Sequence, residues 1–332
     1  MRKVALITGI TGMVGSHLAD YLLTETEWDV VGMVRWRSPL DNISHLIPRI
    51  SSEDRMSLLY GDLRDTLAVA NVIQQCRPDY IFHLAAQSYP KTSFDAPLDT
   101  LDTNVQGTFR VLEAAKQHAP KAIIHVCSSS EVFGRVSAEK LPIGEDCSFH
   151  PASPYAISKV GTDLIGRYFA EAYGMTVLTT RMFTHTGPRR GDVFAESSFA
   201  KQIALAEAGL VEPCIQVGNL DSLRTIADVR DAVRAYHMLL TQNPTAGESY
   251  NIGGTRSNFE TAKEACSASP LCLGITELTA AQFSYGPAFP ATSAVASVAS
   301  YEKEILSGST CEISAAAGRT MRLQKEVSGR TG

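Results

Sequence analysis

Tyr155 and Lys159 are two side chains whose types and spacing could carry out proton transfer. They stand four residues apart near the start of a predicted helix, so they would share one face of it. A free phenol has a pKa of about 10, which is too high for a base at neutral pH. A neighbouring ammonium group favours the phenolate and lowers that pKa. We therefore predict that Tyr155 exchanges a proton with a substrate hydroxyl and that Lys159 assists it.

Further polar side chains follow the predicted strand Ala122–Cys127, and they include Ser129 and Glu131. Open α/β sheets place their chemistry at the carboxyl ends of strands, which is where these two residues would lie. Ser129 would hydrogen-bond the same hydroxyl as Tyr155. The sequence therefore predicts that Ser129, Tyr155 and Lys159 act together, with the carboxylate of Glu131 beside them.

The elements that position these residues begin with a strand, a glycine-rich turn and a helix. Residues 4–8 form a short apolar run typical of a buried parallel strand, and residues 16–23 have helical periodicity. Between them, Gly9, Gly12 and Gly15 are separated by two residues each. Such a turn lets the backbone approach a pyrophosphate, which the N-terminus of the helix attracts through its free N–H groups. We predict that a dinucleotide cofactor is bound by Gly9, Thr11, Gly12, Met13 and Gly15.

Two arginines after the second predicted strand, Val30–Val34, bear on which dinucleotide is bound. An NAD enzyme of this fold usually carries an acidic residue there, which binds the ribose 2′-hydroxyl. This chain has Arg35 and Arg37 instead, and planar guanidinium groups suit the oxygens of a 2′-phosphate. The sequence therefore predicts NADP rather than NAD, with a solvated pair of surface arginines as the alternative.

Strand and helix patterns continue to alternate along the chain. A third predicted strand begins at Ser57 and runs into Gly61-Asp62-Leu63, a fourth covers residues 80–86, and residues 250–254 form a strand and turn. Predicted helices cover residues 102–118, 155–173 and 228–240. This alternation predicts the α/β class, with a Rossmann-like, doubly wound parallel sheet and a smaller C-terminal substrate lobe. In the helix over residues 102–118, the predicted buried face consists of Val105, Phe109, Leu112 and Ala115.

The glycine turn, the serine-rich strand end and the Tyr-x-x-x-Lys pair occur in one order, which resembles the extended short-chain dehydrogenase/reductase family. The resemblance covers roughly residues 1–254. It implies that Asp62 and Leu63 contact the adenine and that Ala85 and Ala86 pack along the sugars of the cofactor. It implies further that Lys159 holds the nicotinamide ribose while hydride moves to or from the nicotinamide.

One more residue, Asn104, has two interpretations. In this family an asparagine near the start of this helix supports the active site. Asn104 could instead cap its helix, because asparagine is favoured at that position.

Glu131 narrows the resemblance to one branch of the family. Ser129-Ser130-Glu131 is similar to the Thr/Ser-x-Glu of sugar-nucleotide 4,6-dehydratases, whereas 4-epimerases need only the serine, tyrosine and lysine. In those dehydratases C4 is oxidised first, and the glutamate then removes the acidified C5 proton and helps expel the C6 hydroxyl as water. The hydride returns to C6, so no cofactor is consumed. The alternative for Glu131 is a supporting carboxylate in a reductase or a decarboxylase.

Several segments resemble GDP-mannose 4,6-dehydratases in particular. Residues 182–191 are similar to the Phe-Asn-His-x-x-Pro-Arg-Arg-Gly segment of that group, with a threonine where the group has asparagine; residues 93–97 and 218–224 also match. Residues 199–203 look more like GDP-6-deoxy-4-keto-mannose reductases. The lysine in this segment could bind the diphosphate of the substrate, but a surface lysine is the favoured interpretation. The resemblance implies a GDP-sugar substrate bound by Ser88, Thr184, Arg190, Lys201 and Arg224.

Three functions stay open at this point. The first is a 4,6-dehydratase that converts GDP-mannose to GDP-4-keto-6-deoxymannose. The second is an NADP-dependent reductase of that product, or another nucleotide-sugar epimerase or reductase, and a reductase would consume NADPH in proportion to its product. The third is a catalytically silent nucleotide-binding protein, because a fold does not determine a function.

The composition excludes several classes of protein. The chain has 332 residues, of which 44% are hydrophobic and 20% charged, as in ordinary globular proteins. A net charge of -5 without a basic stripe argues against nucleic acid as a partner. The seven cysteines include no Cys-x-x-Cys pair, so neither a disulfide framework nor a metal site is expected. Without a secretory signal or an apolar run long enough to span a bilayer, we expect a cytoplasmic protein with no membrane partner.

The sequence also predicts how the chain is divided. Residues 1–182 would form the NADP-binding Rossmann domain, with returns to it around 215–254, and residues 183–254 would form part of the substrate lobe. From Thr255 the chain is rich in Ser, Ala, Thr and Gly and loses its periodicity, so residues 255–332 would be an atypical tail, either disordered or read in a shifted frame. By resemblance, the two long helices would pair subunits in a homo-oligomer, either a dimer or a tetramer.

Overall fold

The computed structural model describes residues 2–52, 54–211, 216, 223–254, 259–261, 311–315 and 320–323. Within these residues the strands are β1 Val4–Thr8, β2 Asp29–Val34, β3 Met56–Tyr60, β4 Tyr80–His83, β5 Ile123–Cys127, β6 Val177–Met182, β7 His185–Thr186, β8 Leu223–Thr225, β9 Ala227–Asp228, β10 Ser249–Gly254, β11 Phe259–Thr261, β12 Cys311–Ala315 and β13 Thr320–Leu323. The α-helices are α1 Met13–Glu25, α2 Ile47–Ser51, α3 Thr66–Cys76, α4 Pro90–Asp95, α5 Pro97–Leu101, α6 Gly107–His118, α7 Pro154–Tyr173, α8 Ala195–Glu207 and α9 Val229–Thr241.

A parallel sheet forms the centre of the fold. Seven strands pair in the order β3-β2-β1-β4-β5-β6-β10, all parallel, and β12 and β13 extend the sheet beyond β10. The order reverses beside β1, which lies between β2 and β4. Ligands of such sheets bind outside the carboxyl ends of the strands at this switch point. The predicted Rossmann-like, doubly wound α/β fold is confirmed.

Both faces of the sheet are covered by helices, which explains the uninterrupted apolar sequence of β1. Leu6, Ile81, Ile124 and Val177 are register neighbours on one face, where they pack in one core cluster with residues of α3, α6 and α7. On the other face, His125 of β5 lies with its ring centroid 4.3 Å from that of Tyr236 on α9, and α9 packs against α1.

The helix predicted over residues 102–118 is wrong in its first turn. Asp102–Gln106 is π-helical, and α6 begins only at Gly107. Of the predicted face, Leu112 and Ala115 are buried, whereas Phe109 is 42% exposed. The capping interpretation of Asn104 is also wrong, because this residue lies inside the helical run.

One further strand prediction runs past the real strand end. β4 ends at His83, whereas the predicted strand extends to residue 86, and β3 ends at Tyr60, where the predicted third strand runs into Gly61-Asp62-Leu63. The residues beyond each strand form loops at the carboxyl edge of the sheet. This difference matters because it places Asp62, Leu63, Ala85 and Ala86 in loops, where backbone and side chains can face a ligand.

The chain forms two compact units. The first comprises Met1–Phe183 and Val229–Ile252 with parts of β12 and β13, so α9 and β10 return to the sheet. The second begins at Thr184 and contains two short strand pairs, β7 with β9 and β8 with β11. The assignment of the cofactor to the first unit and of the substrate to the second stays a prediction. Within the predicted tail the structure describes β11, β12 and β13; its other residues lie outside the described residues.

Two buried histidines make the stability of this fold depend on pH. His83 is 4% exposed and His125 is fully buried, and burial lowers the pKa of each imidazole from 6.5 to about 3. Between about pH 6.5 and pH 3 the unfolded chain therefore binds protons that the native chain does not. Stability should be complete above this window and fall as the pH is lowered through it, by at most about 1.4 kcal/mol per pH unit for each histidine. Urea unfolding from about pH 7 to about pH 4.5 measures this slope.

Replacing His125 with phenylalanine removes one of the two titrating groups and keeps an aromatic ring against Tyr236. The slope of unfolding free energy against pH should become shallower by up to one proton. The same substitution at His150, which lies at the surface, provides the control. An unchanged slope in the His125→Phe protein would contradict the assignment of acid sensitivity to this residue.

Candidate active site

The glycine turn joins β1 to α1, and its three glycines meet different constraints. Gly9 has a φ of +76°, and a Cβ there would lie 2.8 Å from the backbone of Ala85. A Cβ on Gly15 would collide with the carbonyl oxygen of Gly9. Gly12 is exposed, and the nearest atom to a Cβ there is the same oxygen at 3.3 Å. Protein contacts thus explain Gly9 and Gly15, whereas Gly12 leaves room for a ligand to approach the backbone.

The N-terminus of α1 has the character of an anion site. Gly12 occupies the N-cap without a side chain that could bond the helix, and the first turn contains no acidic residue. Thr11 and Met13 belong to the same turn, where their carbonyl oxygens accept hydrogen bonds from Asn42 and Ser16 at 2.9 Å each. The N–H of Gly12 donates to the carbonyl of Gly9 at 3.0 Å, which also fixes the turn. The first N–H groups of a helix have no partner within the helix, and its dipole favours an anion there.

The loops after β2 and β3 line a cavity of about 500 Å³. Arg35 and Arg37 are exposed there, as the NADP prediction requires. Sequence analysis missed a third guanidinium group, that of Arg64, which bonds Asp62 (Nη2–Oδ2 3.0 Å) and Asp99 (Nη1–Oδ1 3.1 Å). The hydrogen bond from Arg64 holds the pKa of Asp62 below its usual value. The position of Arg64, two residues after Asp62, is the sequence feature that could have identified it as part of this site.

The loop after β4 is fixed by side chains from two other elements. Thr8 Oγ1 accepts hydrogen bonds from the N–H groups of Leu84 and Ala85, both at 3.1 Å. Asn104 bonds the backbone of Gln87 in both directions, at 2.8 and 3.0 Å, and donates to Ser158 Oγ on α7 at 2.8 Å. The loop that carries Ala85, Ala86 and the exposed Ser88 is thereby tied to β1 and α7.

His83 extends this network and exists as one neutral tautomer. Because both lone pairs of Thr8 Oγ1 are used by backbone N–H groups, its hydroxyl must donate to His83 Nδ1, 2.9 Å away. The imidazole proton then lies on Nε2 and is donated to Thr108 Oγ1 at 3.0 Å, and Thr108 donates to the carbonyl of Asn104 at 2.6 Å. Sequence analysis missed this role of His83, which links β1, β4 and α6.

Ser129 and Glu131 lie where β5 ends. Ser129 is 8% exposed and caps the short 3₁₀ turn Ser130–Phe133, since its Oγ accepts the N–H of Glu131 at 3.2 Å. The side chain of Glu131 is half-buried. Within the part of the chain that the structure describes, the carboxylate of Glu131 makes no hydrogen bond or ion pair. It is therefore available to a substrate.

Tyr155 and Lys159 lie on one buried face of α7, next to the same strand end. Ser153 caps this helix by accepting the N–H of Ala156 at 3.0 Å. Lys159 is 5% exposed, its Nζ donates to the carbonyl of Cys127 at 2.8 Å, and this nitrogen lies 5.9 Å from the ring centroid of Tyr155. Burial lowers the pKa of the Lys159 ammonium, an effect that Cys127 partly opposes. Since Cys127 precedes Ser129 by two residues, the structure brings the four predicted catalytic residues to the end of β5.

The predicted substrate contacts of the second unit are engaged within that unit. Arg190 donates to the carbonyl of His185 at 3.0 Å and approaches Glu196 at 3.6 Å. Lys201 forms an exposed ion pair with Asp192 at 2.7 Å, which fits its interpretation as a surface lysine. The carbonyl of Thr184 accepts the N–H of Ala227 at 3.0 Å.

Arg224 lies in β8, opposite Glu260 of β11, while residues 218–222 of its matching segment lie outside the described residues. The roles of Ser88, Thr184, Arg190, Lys201 and Arg224 stay predictions.

None of the helices that the structure describes combines the length and the apolar character needed to cross a membrane. In the same residues, no group of three or more His, Cys, Asp or Glu side chains is arranged to hold a metal ion.

The solved structures that are similar to this chain include the following two. A structure of RMD from Pseudomonas aeruginosa complexed with NADPH is 30% identical, with a TM-score of 0.67, over 80% of this chain and 82% of that chain. DesIV, a dTDP-glucose 4,6-dehydratase from Streptomyces venezuelae with NAD and TYD bound, is 28% identical, with a TM-score of 0.67, over 79% of this chain and 78% of that chain.

Comparison with curated sequences identifies the family of the chain more specifically. The GDP-mannose 4,6-dehydratase of Yersinia enterocolitica is 38% identical over 73% of this chain and 65% of that protein, and the human GDP-mannose 4,6 dehydratase is 37% identical over 72% and 65%. The chain thus spans 65% of the length of these relatives. A sequence model of the family described as GDP-mannose 4,6 dehydratase matches residues 6–276. The match thus continues beyond residue 254, where the predicted resemblance ends. The predicted resemblance is confirmed, and the chain belongs to the GDP-mannose 4,6-dehydratase family.

Proposed function

We propose that this protein is a 4,6-dehydratase that converts GDP-mannose to GDP-4-keto-6-deoxymannose. The observation that carries the proposal is Glu131, which follows Ser129 by two residues at the strand end that Lys159 binds. Its carboxylate makes no hydrogen bond or ion pair with the other described residues. A simple 4-epimerase would not need this carboxylate. Membership of the family and the names of the curated relatives support the same substrate.

NADP is the proposed cofactor, and the described residues fit it. Gly12 leaves the turn open to a pyrophosphate, and the cavity at Arg35, Arg37 and Arg64 offers guanidinium groups to a 2′-phosphate. The NADPH in the related RMD structure supports this choice. When bound, NADP would accept a hydride from the substrate and return it, so that no net oxidation occurs.

The side chains at the end of β5 would carry out the proton transfers of the reaction. Tyr155 would remove the proton of the C4 hydroxyl, which Ser129 would hold by a hydrogen bond. The ammonium of Lys159 would favour the phenolate of Tyr155. Once C4 is a ketone, the neighbouring C5 proton is acidic, and Glu131 would take it. The same carboxyl group would then protonate the C6 hydroxyl, which leaves as water.

A homo-oligomer, either a dimer or a tetramer, is also proposed. Along α7, Ile157 and Leu164 are 52% and 45% exposed and lie two helical turns apart, and Phe109 of α6 is 42% exposed. Exposed apolar residues that form one stripe are typical of protein interfaces. Sedimentation equilibrium measures the number of subunits.

Removing Arg35 and Arg37 should change the choice of dinucleotide. Each hydrogen bond to a charged group contributes about 1.5–3 kcal/mol, so the Arg35→Ala/Arg37→Ala protein, which loses at least one such bond, should bind NADP at least about 10-fold more weakly. Its affinity for NAD, which has no 2′-phosphate, should change less than about threefold. Calorimetric titration with each dinucleotide measures both constants. The control is Arg49→Ala, which removes an exposed arginine paired with Asp54; equal losses for NADP and NAD would contradict the prediction.

Proton NMR of the protein with GDP-mannose and a trace of NADP tests the proposed reaction. A new C6 methyl signal without loss of cofactor is expected. Unchanged GDP-mannose would overturn the proposal. Oxidation of NADPH in proportion to product, with GDP-4-keto-6-deoxymannose as substrate, would identify a reductase instead.

A further inference from the structure

The largest fully buried side chain in the described residues is charged, and it belongs to Arg181 on β6. Its Nε and Nη2 bond the two carboxylate oxygens of Asp163 on α7 at 2.8 and 3.0 Å, and the two side chains are 2% and 0% exposed. Two charges stay buried only where the geometry satisfies them closely. This fork joins β6 to the helix that carries Tyr155 and Lys159.

The same guanidinium group also holds the chain that separates Glu131 from Tyr155. Nη1 of Arg181 donates to the carbonyl of Glu145 at 2.7 Å. The guanidinium carbon lies 5.6 Å from the ring centroid of Phe133 and 4.8 Å from that of Phe149, within the range of cation–π attraction. The connecting segment runs over residues 134–150; Phe133 directly precedes it, and Phe149 lies near its end.

Other contacts close this segment onto the turn of Glu131. The N–H of His150 donates to the carbonyl of Val132 at 2.8 Å. Gly134 has a φ of +56°, and a Cβ there would collide with the carbonyl oxygen of His150. The backbone N–H of Asn251 on β10 donates to Glu145 Oε1 at 2.8 Å, and its side chain donates to the carbonyl of Ile143 at 2.9 Å. The segment is thus pinned at its ends and at its middle.

We propose that Arg181 is a positioning residue that sets the place of Glu131 relative to Tyr155 and Lys159. Asp163 lies one helical turn beyond Lys159 and two beyond Tyr155 on the buried face of α7. Phe133 lies two residues after Glu131. One guanidinium group therefore contacts both the helix of the proton-transfer pair and the turn of the carboxylate. This inference rests on the proposed function, in which Ser129 and Tyr155 act at C4 while Glu131 acts at C5 and C6.

Loss of the two parallel hydrogen bonds of the guanidinium group should therefore lower the rate of dehydration more than the rate of oxidation at C4. Arg181→Lys keeps the charge but loses the fork, and we expect kcat for dehydrated product to fall about ten- to hundredfold, because displacing a catalytic group by about 1 Å has effects of this size. KM should change less than about threefold, since no substrate contact is removed. Cofactor reduction in a single turnover should fall much less. Hydrogen–deuterium exchange of the amides in residues 134–150 should become faster.

Two further variants separate positioning from general stability. Arg167 approaches the same carboxylate of Asp163 at 3.9 Å but is 42% exposed, so Arg167→Met is the matched control. It should change neither the hydrogen–deuterium exchange of residues 134–150 nor the ratio of dehydration to cofactor reduction. Phe149→Leu keeps the ion pair of Arg181 with Asp163, removes one ring contact and should shift that ratio in the same direction as Arg181→Lys. It tests the proposal if the Arg181→Lys protein does not fold. If these variants lower only the unfolding temperature, with that ratio and the exchange of residues 134–150 unchanged, the proposal is overturned. If the unsubstituted protein forms no product, the proposed function fails, and the exchange of residues 134–150 still decides whether Arg181 holds the segment.

Discussion

Replacing Tyr155 with phenylalanine is expected to lower kcat by about 10²- to 10⁴-fold, the range that a positioned general acid–base group contributes. The substitution removes only the phenolic oxygen, while Lys159 keeps its hydrogen bond to the carbonyl of Cys127. The glycine turn and the loops after β2 and β3 are untouched, so the affinity for NADP should stay within about threefold. Steady-state kinetics with GDP-mannose and a calorimetric titration with NADP measure the two quantities.

Tyr168→Phe provides the matched control for this substitution. Tyr168 lies on the same helix, but its hydroxyl is at the surface and bonds the hydroxyl of Tyr173 at 3.0 Å. We expect no more than about a twofold change in kcat, because a surface substitution of this kind perturbs the protein little. If Tyr155→Phe turned over GDP-mannose as fast as this control, proton transfer by Tyr155 would be excluded.

Replacing Glu131 with glutamine has the second large expected effect, and it acts on a different step. The amide has the shape of the carboxylate but cannot take the C5 proton, so formation of the C6 methyl group should fall by about 10²- to 10⁴-fold. Oxidation at C4 depends on Ser129 and Tyr155 and should continue. The expected signature is therefore cofactor that becomes reduced on addition of GDP-mannose and stays reduced, together with loss of solvent deuterium incorporation at C5. Nicotinamide absorbance and proton NMR in D₂O measure these results.

The control for this substitution is Glu139→Gln, an exposed glutamate eight residues further along the chain. It should leave dehydration unchanged, because its carboxylate lies in the solvent. Undiminished product formation by the Glu131→Gln protein would remove Glu131 from the mechanism and with it the main argument for a dehydratase. Loss of cofactor reduction as well as of product would instead assign Glu131 to the step at C4.

The predicted end of the family resemblance lies near residue 254, whereas the family match continues to residue 276. That the tail is read in a shifted frame stays a prediction. Sequencing of the gene tests this hypothesis, and an intact frame would end it.

Several features of this protein could be predicted from the sequence because they depend on local patterns. The apolar run of β1 is predicted correctly over Val4–Thr8, and the spacing of Gly9, Gly12 and Gly15 indicates the turn that follows it. The four-residue spacing of Tyr155 and Lys159 places both on one face of α7. Periodicity, glycine φ angles and helical spacing involve neighbouring residues only, so a sequence displays them directly.

Only the tertiary structure decided which distant groups meet. Thr8 and His83 are 75 residues apart, and their hydrogen bond sets the tautomer of a histidine that sequence analysis did not consider. The ion pair of Arg181 with Asp163 is equally invisible in the sequence, although it joins the two parts of the candidate site. The helical pattern does not predict the π turn at Asp102–Gln106, within which Asn104 donates hydrogen bonds to the carbonyl of Gln87 and to Ser158 Oγ, both distant in the sequence. A sequence shows which side chains could donate, accept or carry charge, whereas partners and burial, which determine their pKa values and their positions, arise only when the chain has folded.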